Sequence, residues 1–342
     1  MKTKVSKTYN ILIRLAIILL TFGFLYDQIF YRKNLEEIAA YIPEISGSFR
    51  FYFNLALATL LIPVNQFLEI IKWKYLIDKL EKVSLWSATK AVFAGISVSM
   101  FMPNRVGDYL GRVFVLKKAD RLQAVLITIL GSMAQLLITI IYGFLAVLFF
   151  FPWYYDMSDQ FNVWIYSGMV LMILVLTFIF VFAYLNFGGF SSIIERISGR
   201  FYKRIRKYSE VFSWYGGKNL LLVLLLSALR YVIFSFQFYL LLRAFYVPVS
   251  YYSAIVLIGL VYLLMTIIPT VALTELGVRG SVSLFVFSLY LEPVGKWTDT
   301  IGLGVASAVS VLWVMNLALP ALIGLIFVYS LRFFRTNNGN GN

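Results

Sequence analysis

The sequence contains no cysteine and no histidine among its 342 residues. Disulfide bonds, thiolate nucleophiles and a Ser-His catalytic triad are therefore excluded, and so are the usual zinc sites. The chain also has no Gly-x-x-x-x-Gly-Lys-Ser/Thr motif, which excludes ATP hydrolysis by a P-loop. These absences predict a protein that is not an enzyme and that uses no metal or cofactor.

Charged residues are scarce as well: 13% of the chain is charged and 61% is hydrophobic. Soluble domains carry roughly 25% charged residues. A surface in contact with lipid does not need them. The composition therefore predicts an integral membrane protein. The net charge of +14 is interpreted as basic residues in cytoplasmic loops rather than as a nucleic-acid-binding face.

Six apolar segments are long enough to cross a bilayer, which takes ~20 largely apolar residues. They are Tyr9–Phe30, Phe51–Ile71, Leu122–Phe151, Asn162–Phe187, Asn219–Ala244 and Ile301–Leu331. Two further apolar segments, Trp86–Met102 and Tyr251–Ile268, are each followed by a proline and a polar run. We interpret each as the first arm of a re-entrant helical hairpin, because irregular backbone at membrane depth must be surrounded by protein or a water-filled cavity.

The basic residues support this topology, because lysine and arginine collect in cytoplasmic loops. The N-terminal lysines, the cluster Arg196–Lys207 and the C-terminal Arg332 and Arg335 fall on one side only if neither hairpin crosses the membrane. The sequence thus predicts an all-α polytopic membrane protein with about six full spans, two proline-broken re-entrant hairpins and both termini in the cytoplasm. Residues 336–342 are predicted to form a disordered tail.

The two hairpins resemble each other in sequence. Ser84 stands at the same distance before Pro103 as Ser250 does before Pro269, and the offset of 166 residues is close to half the chain. The same offset carries the second predicted span onto most of the fifth. We therefore predict one transmembrane domain over residues 1–335, built from inverted repeats at about 1–155 and 156–335. Inverted repeats with broken helices are typical of many secondary transporters.

Charges inside a membrane cost at least ~2.5–3.5 kcal/mol each on insertion scales, so they need a partner or a function. The polar runs after the two prolines carry the main substrate-binding candidates, which are Arg105, Asp108, Arg112, Glu275 and Arg279. Each acidic residue stands four positions before an arginine and shares a helix face with it. The pairs are interpreted either as structural salt bridges or as a cavity where arginine binds a phosphate. Secondary cavity-lining candidates are Asn65, Glu69, Pro103, Asn104, Pro269, Thr274 and Arg230.

The motifs around these residues resemble a known family. One resemblance is to the first half of the transmembrane domain of lysylphosphatidylglycerol synthases. It rests on Trp73-Lys74-Tyr75-Leu76, followed by Pro103-Asn104-Arg105-Val106-Gly107-Asp108 and Arg112. The second signature of that domain resembles Pro269 with Glu275-Leu276-Gly277-Val278-Arg279. Val271-Ala272-Leu273 and Gly280 stand where that signature usually has a glycine-rich run and a glutamate. The resemblance covers about residues 10–332 and points to the five main candidates as the site.

In that family the membrane domain is associated with moving a modified phospholipid between leaflets. The resemblance therefore implies a stand-alone flippase-like lipid transporter of the bacterial plasma membrane, without the soluble aminoacyl-transfer domain. Its implied partners are membrane lipids with anionic or aminoacylated headgroups, and also a second copy of the chain or a partner synthase. Two alternatives stay open: a membrane enzyme acting on a lipid-linked phosphate substrate, and a non-catalytic scaffold subunit of a lipid or glycolipid synthase.

Overall fold

The computed structural model describes residues 47–100, 102, 106–189, 202–268 and 272–328, together with positions 12, 15, 16 and 19. All regular structure in these ranges is helical, as the sequence predicts. The α-helices, numbered from the first with described bounds, are α1 Phe49–Ile77, α2 Leu85–Ser99, α3 Val106–Val113, α4 Arg121–Tyr154, α5 Gln160–Leu185, α6 Tyr202–Ser213, α7 Gly217–Ala244, α8 Tyr251–Ile267, α9 Ala272–Leu291, α10 Asp299–Trp313 and α11 Leu319–Val328.

Five helical segments in the described ranges are long and apolar enough to cross a membrane. They are α1, α4, α5, α7 and the continuous segment Asp299–Val328, which comprises α10, a π-helical turn and α11. Each coincides with one of the predicted spans to within a few residues, except that α1 continues to Ile77. The predicted first span, Tyr9–Phe30, lies outside the described residues apart from four positions, and the predicted tail and the two termini also lie outside them.

Both predicted hairpins consist of two helices that follow one another around a proline. Ser84 caps α2 by accepting from the backbone N–H of Ser87, and Ser250 caps α8 by accepting from that of Ser253, so the same cap recurs at the offset of 166. The return helices differ in length. The eight residues of α3 span ~12 Å and the twenty of α9 span ~30 Å. Re-entry and the inverted repeat stay predictions.

The first hairpin closes tightly because small residues let the backbones of α2 and α3 approach. A Cβ added at Gly111 would lie 2.7 Å from the Cα of Gly95 and 3.0 Å from the carbonyl oxygen of Ala94. A Cβ added at Gly95 would meet the side chain of Asp108 and the Cγ of Arg112 at 2.8 Å. Glycine at these two positions therefore places the charged side chains of α3 against α2.

The centre of the bundle is the long contact between α1 and α7. At one end of it the rings of Phe51 and Phe245 meet edge to face, with centroids 5.8 Å apart. Around this pair, α4 packs on α8, α9 on α10, and α11 on α2. Helix α5 lies outermost, and Ile173 and Tyr184 are its only buried side chains. Its outward face is formed by large exposed apolar side chains, as expected of a helix that borders lipid.

The short amphipathic helix α6 lies against the start of α4. The Nζ of Lys207 lies 2.6 Å from the Oδ2 of Asp120, the residue that caps α4, and the Nε2 of Gln123 donates to the Lys207 carbonyl at 2.9 Å. The hydrogen bond from Lys207 holds the pKa of Asp120 below its usual value, and the same contact raises the pKa of Lys207. This polar contact lies in the basic region that the sequence assigns to the cytoplasmic side, of which residues 196–201 lie outside the described ranges.

Substituting Gly111 by alanine tests the close approach of α2 and α3. The added Cβ would meet backbone atoms that cannot yield without moving a helix, so we expect Gly111→Ala to lower the free energy of unfolding by about 1–3 kcal/mol. The measurement is denaturant unfolding of the purified protein in detergent micelles. Gly280→Ala in α9 is the matched control, because nothing lies within 4 Å of its added Cβ. An equal loss of stability in both variants would contradict the packing.

Candidate functional site

One carboxylate joins three helices in the interior of the bundle. Glu69 of α1 is 5% exposed. Its Oε1 accepts from the Nη1 of Arg112, on α3, at 2.6 Å. Its Oε2 lies 2.7 Å from the Nζ of Lys72 and 2.8 Å from the Nη1 of Arg230, on α7. The cost of burying this charge is thus offset by three cations at hydrogen-bonding distance.

The Arg112 guanidinium is held by a second carboxylate on its own helix. Its Nε and Nη2 donate to the two carboxylate oxygens of Asp108 at 2.7 and 2.6 Å, a bidentate pair. The predicted i, i+4 pair is therefore formed, and Arg112 bridges it to Glu69. With Lys72 and Arg230, this charged cluster contains three cations and two carboxylates, which leaves one net positive charge.

A chain of amide side chains continues from the cluster across the bundle. The Nε of Arg230 donates to the Oδ1 of Asn65 at 2.8 Å, and the Nδ2 of Asn65 donates to the Oδ1 of Asn316 at 3.0 Å. The Nδ2 of Asn316 in turn donates to the Oε1 of Gln237 at 2.8 Å, and Gln237 donates to the Ala58 carbonyl. Asn316 lies in the π-helical turn Val314–Ala318. The chain ties the last span to α1 and α7 and fixes one side of the Arg230 guanidinium.

Two cavities meet at Arg230. The first, of about 290 Å³, contains the charged cluster among its lining and is named the cluster cavity. The second, of about 210 Å³, is named the arginine cavity because Arg230 and Arg279 line it and no carboxylate does so among the described residues. Both cavities are lined by Gln135, Thr139, Arg230, Asn316 and Leu317. These five residues therefore form the boundary between the cavities, and Arg230 is the charged one among them.

The second predicted ion pair lies at the arginine cavity. The Nη2 of Arg279 donates to the Oε1 of Glu275 at 2.7 Å, and its guanidinium carbon lies 5.9 Å from the ring centroid of Tyr262. Within the described part of the chain, the Nε of Arg279 and the buried hydroxyl of Tyr231 have no hydrogen-bond partner. Both residues line the arginine cavity, so its wall contains two hydrogen-bonding atoms without a partner, one of them on a cationic side chain.

The structure brings most of the described candidates to this one region. Asn65, Glu69, Asp108, Arg112 and Arg230 form a connected network, while Arg279 with its partner Glu275 faces the neighbouring cavity. The remaining predicted residues Pro103, Asn104, Arg105 and Pro269, and the side chain of Thr274, lie outside the described residues. Whether any of these side chains binds a ligand stays a prediction.

Lys72 was not predicted as part of the site. It lies directly after Ile71, the end of the predicted second span. The structure instead continues α1 to Ile77 and leaves Lys72 2% exposed. The ion pair with Glu69, one helical turn earlier, offsets the free-energy cost of burying the Lys72 charge. The i, i+3 spacing of these two residues was the local signal for the pair.

Comparison with known proteins agrees with the motifs. A family model described as the lysylphosphatidylglycerol synthase TM region matches residues 11–296. The chain belongs to this family. Neither a curated protein nor a solved structure matches it. Together with the five apolar spans, membership of the lysylphosphatidylglycerol synthase TM family shows a multi-pass membrane protein that interacts with membrane lipids and is related to lipid modification or flipping.

Removing the Glu69 charge tests whether this carboxylate holds the cluster together. Glu69→Gln would leave three cations, of which Lys72 and Arg112 are buried, with Asp108 as the one remaining carboxylate of the cluster, and we expect it to lower the free energy of unfolding by about 3–5 kcal/mol. Glu292→Gln, at an exposed position, is the control and should change it by less than about 0.5 kcal/mol. Both are measured by denaturant unfolding in detergent.

A double variant separates charge balance from packing. Glu69→Gln with Lys72→Met restores one net positive charge in the cluster, so it should recover part of the stability that Glu69→Gln loses. A double variant that is less stable than Glu69→Gln alone would show that the contacts of Lys72, and not the balance of charge, dominate.

Proposed function

We propose that the protein is a flippase-like lipid transporter that moves a phospholipid, or another lipid with an anionic headgroup, between the leaflets of a bacterial plasma membrane without changing it chemically. The observation that carries this proposal is the meeting of two cavities at Arg230 inside a bundle of apolar spans. A headgroup needs a polar interior path, while its acyl chains need none.

The charges of the cavities favour an anionic group. The cluster has one net positive charge, and the arginine cavity adds Arg279, whose charge is balanced by Glu275. Lys72 and Arg112 have side chains only 3% and 6% exposed and are occupied by carboxylates. The Arg230 side chain is 26% exposed and lines both cavities. Its guanidinium is thus the described cation best placed to contact a phosphate.

The position of Arg230 also suggests how one site could serve both cavities. Its Nε is held by Asn65 and its Nη1 by Glu69, so the guanidinium plane is fixed between them. A phosphate could contact it from the cluster cavity or from the arginine cavity without a change of partner. Transport in this proposal consists of passage of the headgroup past Arg230, with the acyl chains remaining outside the two polar cavities.

The test compares lipid translocation by two arginine variants of the same helix. Proteoliposomes carry fluorescent phosphatidylglycerol, and translocation is followed by chemical quenching of the label in the outer leaflet. We expect Arg230→Gln to lower the initial rate roughly tenfold or more, because a charge-assisted contact to the headgroup is lost. Arg243→Gln, at an exposed position near the end of α7, should transport like the wild type.

The same assay with a neutral-headgroup lipid reports selectivity, and Arg230→Lys reports the importance of the planar guanidinium. Equal rates for Arg230→Gln and Arg243→Gln, at matched amounts of folded protein, would exclude Arg230 from the path. A wild type that moves none of the tested anionic, aminoacylated or neutral lipids would count against transport. Chemical conversion of the lipid would instead favour the enzyme alternative.

A further inference from the structure

A third cavity, on the outer side of α4, is chemically unlike the other two. It is an apolar groove of about 210 Å³ between α4 and α5, named the α4–α5 groove. Its walls include the α4 side chains Met133, Leu137 and Ile140 and the α5 side chains Phe180 and Ala183. The hydroxyl of Tyr184, which also lines it, is turned toward the Leu130 carbonyl at 3.3 Å.

Leu136 separates this groove from the cluster cavity and lines both. The reason is the helical repeat of α4. Ser132, Gln135 and Thr139 form a polar row on the cluster cavity, and Met133, Leu137 and Ile140 form an apolar row on the groove. Leu136 falls between the two rows and is 48% exposed. A charged cavity and an apolar groove are thus separated by the width of one side chain.

We propose that the α4–α5 groove holds an acyl chain of the same lipid whose headgroup occupies the cluster cavity. A molecule that satisfies both sites must carry an anionic group and, close to it, a flexible apolar chain, and a membrane lipid has this chemistry. The groove borders α5, the most exposed of the five spans in the described ranges, so a chain can enter it from the bilayer. The inference rests on the proposed function and adds the path of the lipid, which passes Leu136 between α4 and α5.

The alternative occupant is an ordinary lipid of the surrounding bilayer, present because any apolar surface in a membrane is covered by acyl chains. The two cases differ in one measurable respect. A chain that belongs to a headgroup bound in the cluster cavity should depend on the charge of that headgroup and on Arg230. A chain of the surrounding bilayer should depend on neither.

The experiment uses a phosphatidylglycerol with a photoactivatable diazirine at the end of one acyl chain, in phosphatidylcholine proteoliposomes of the full chain. After irradiation, labelled peptides are mapped by mass spectrometry. We expect label on residues 133–140 of α4 and on residues 180–187, at the end of α5 and just beyond it. Ala183→Phe fills the groove and should lower this label roughly tenfold, the loss expected when about two buried methylene groups are displaced. Gly168→Phe on the same helix, where an added Cβ has open space, is the control.

Two further arms decide between the occupants. Replacing the probe by a phosphatidylcholine of the same chain, or the protein by Arg230→Gln, should lower the groove label by a similar factor if headgroup and chain are bound together. Equal labelling by both probes, or in Arg230→Gln and wild type, would overturn the inference and assign the groove to bilayer lipid. Thermal unfolding of each variant shows whether a loss of label is a loss of fold, in which case the probe comparison in the wild type decides.

The outcome is distinguishable from failure of the transport proposal. If transport requires Arg230 but labelling of the groove does not depend on the headgroup, the transport proposal holds and the acyl-chain site is excluded. Headgroup-dependent labelling in a protein that moves no lipid would keep the site and make it a fixed lipid-binding site instead of a path.

Discussion

The interior of this bundle depends on the Glu69 carboxylate. Its two oxygens are shared by Lys72, Arg112 and Arg230, so removing this one charge would leave three cations, two of them buried, with a single remaining carboxylate in the cluster. Because uncompensated charge is costly at membrane depth, α1, α3 and α7 are constrained to one mutual arrangement. The tight glycine contact that seats α3 against α2, and the amide chain that fixes Arg230, both serve to bring these partners to Glu69.

Around this centre, α4 forms a wall with two chemically different surfaces. Polar side chains on one row close the cluster cavity, and apolar side chains on the next row form the groove against α5. The lipid-facing helix α5 therefore does not touch the charged interior, yet lies one residue width away from it. The apolar spans thus separate the buried ionic cluster from the bilayer. Leu136 marks the place on α4 where the polar row ends and the apolar row begins.

The spans were predictable because a long apolar run has few alternatives, and five of them agree with the structure. The i, i+4 pairs of Asp108 with Arg112 and of Glu275 with Arg279 were also predictable, since helix geometry alone brings them together. The role of Glu69 was not, because its contacts with Arg112 and Arg230 join residues far apart in the chain and depend on packing. Nor does any local pattern mark Asn316, whose position follows from a π-helical turn. The described ranges do not reach Arg105, and re-entry of the hairpins stays a prediction.

The π-helical turn Val314–Ala318 has a mechanical consequence. Before it, α10 packs on α7 and α9; after it, α11 packs on α2, where the Oγ of Ser97 donates to the Ala321 carbonyl at 2.6 Å. The last span thus contacts one arm of each hairpin, α9 before the π turn and α2 after it. The wider π turn interrupts the regular hydrogen-bond ladder between these two contacts. A displacement of one hairpin against the other would therefore act on these five residues, among them Asn316, which accepts from Asn65 and donates to Gln237.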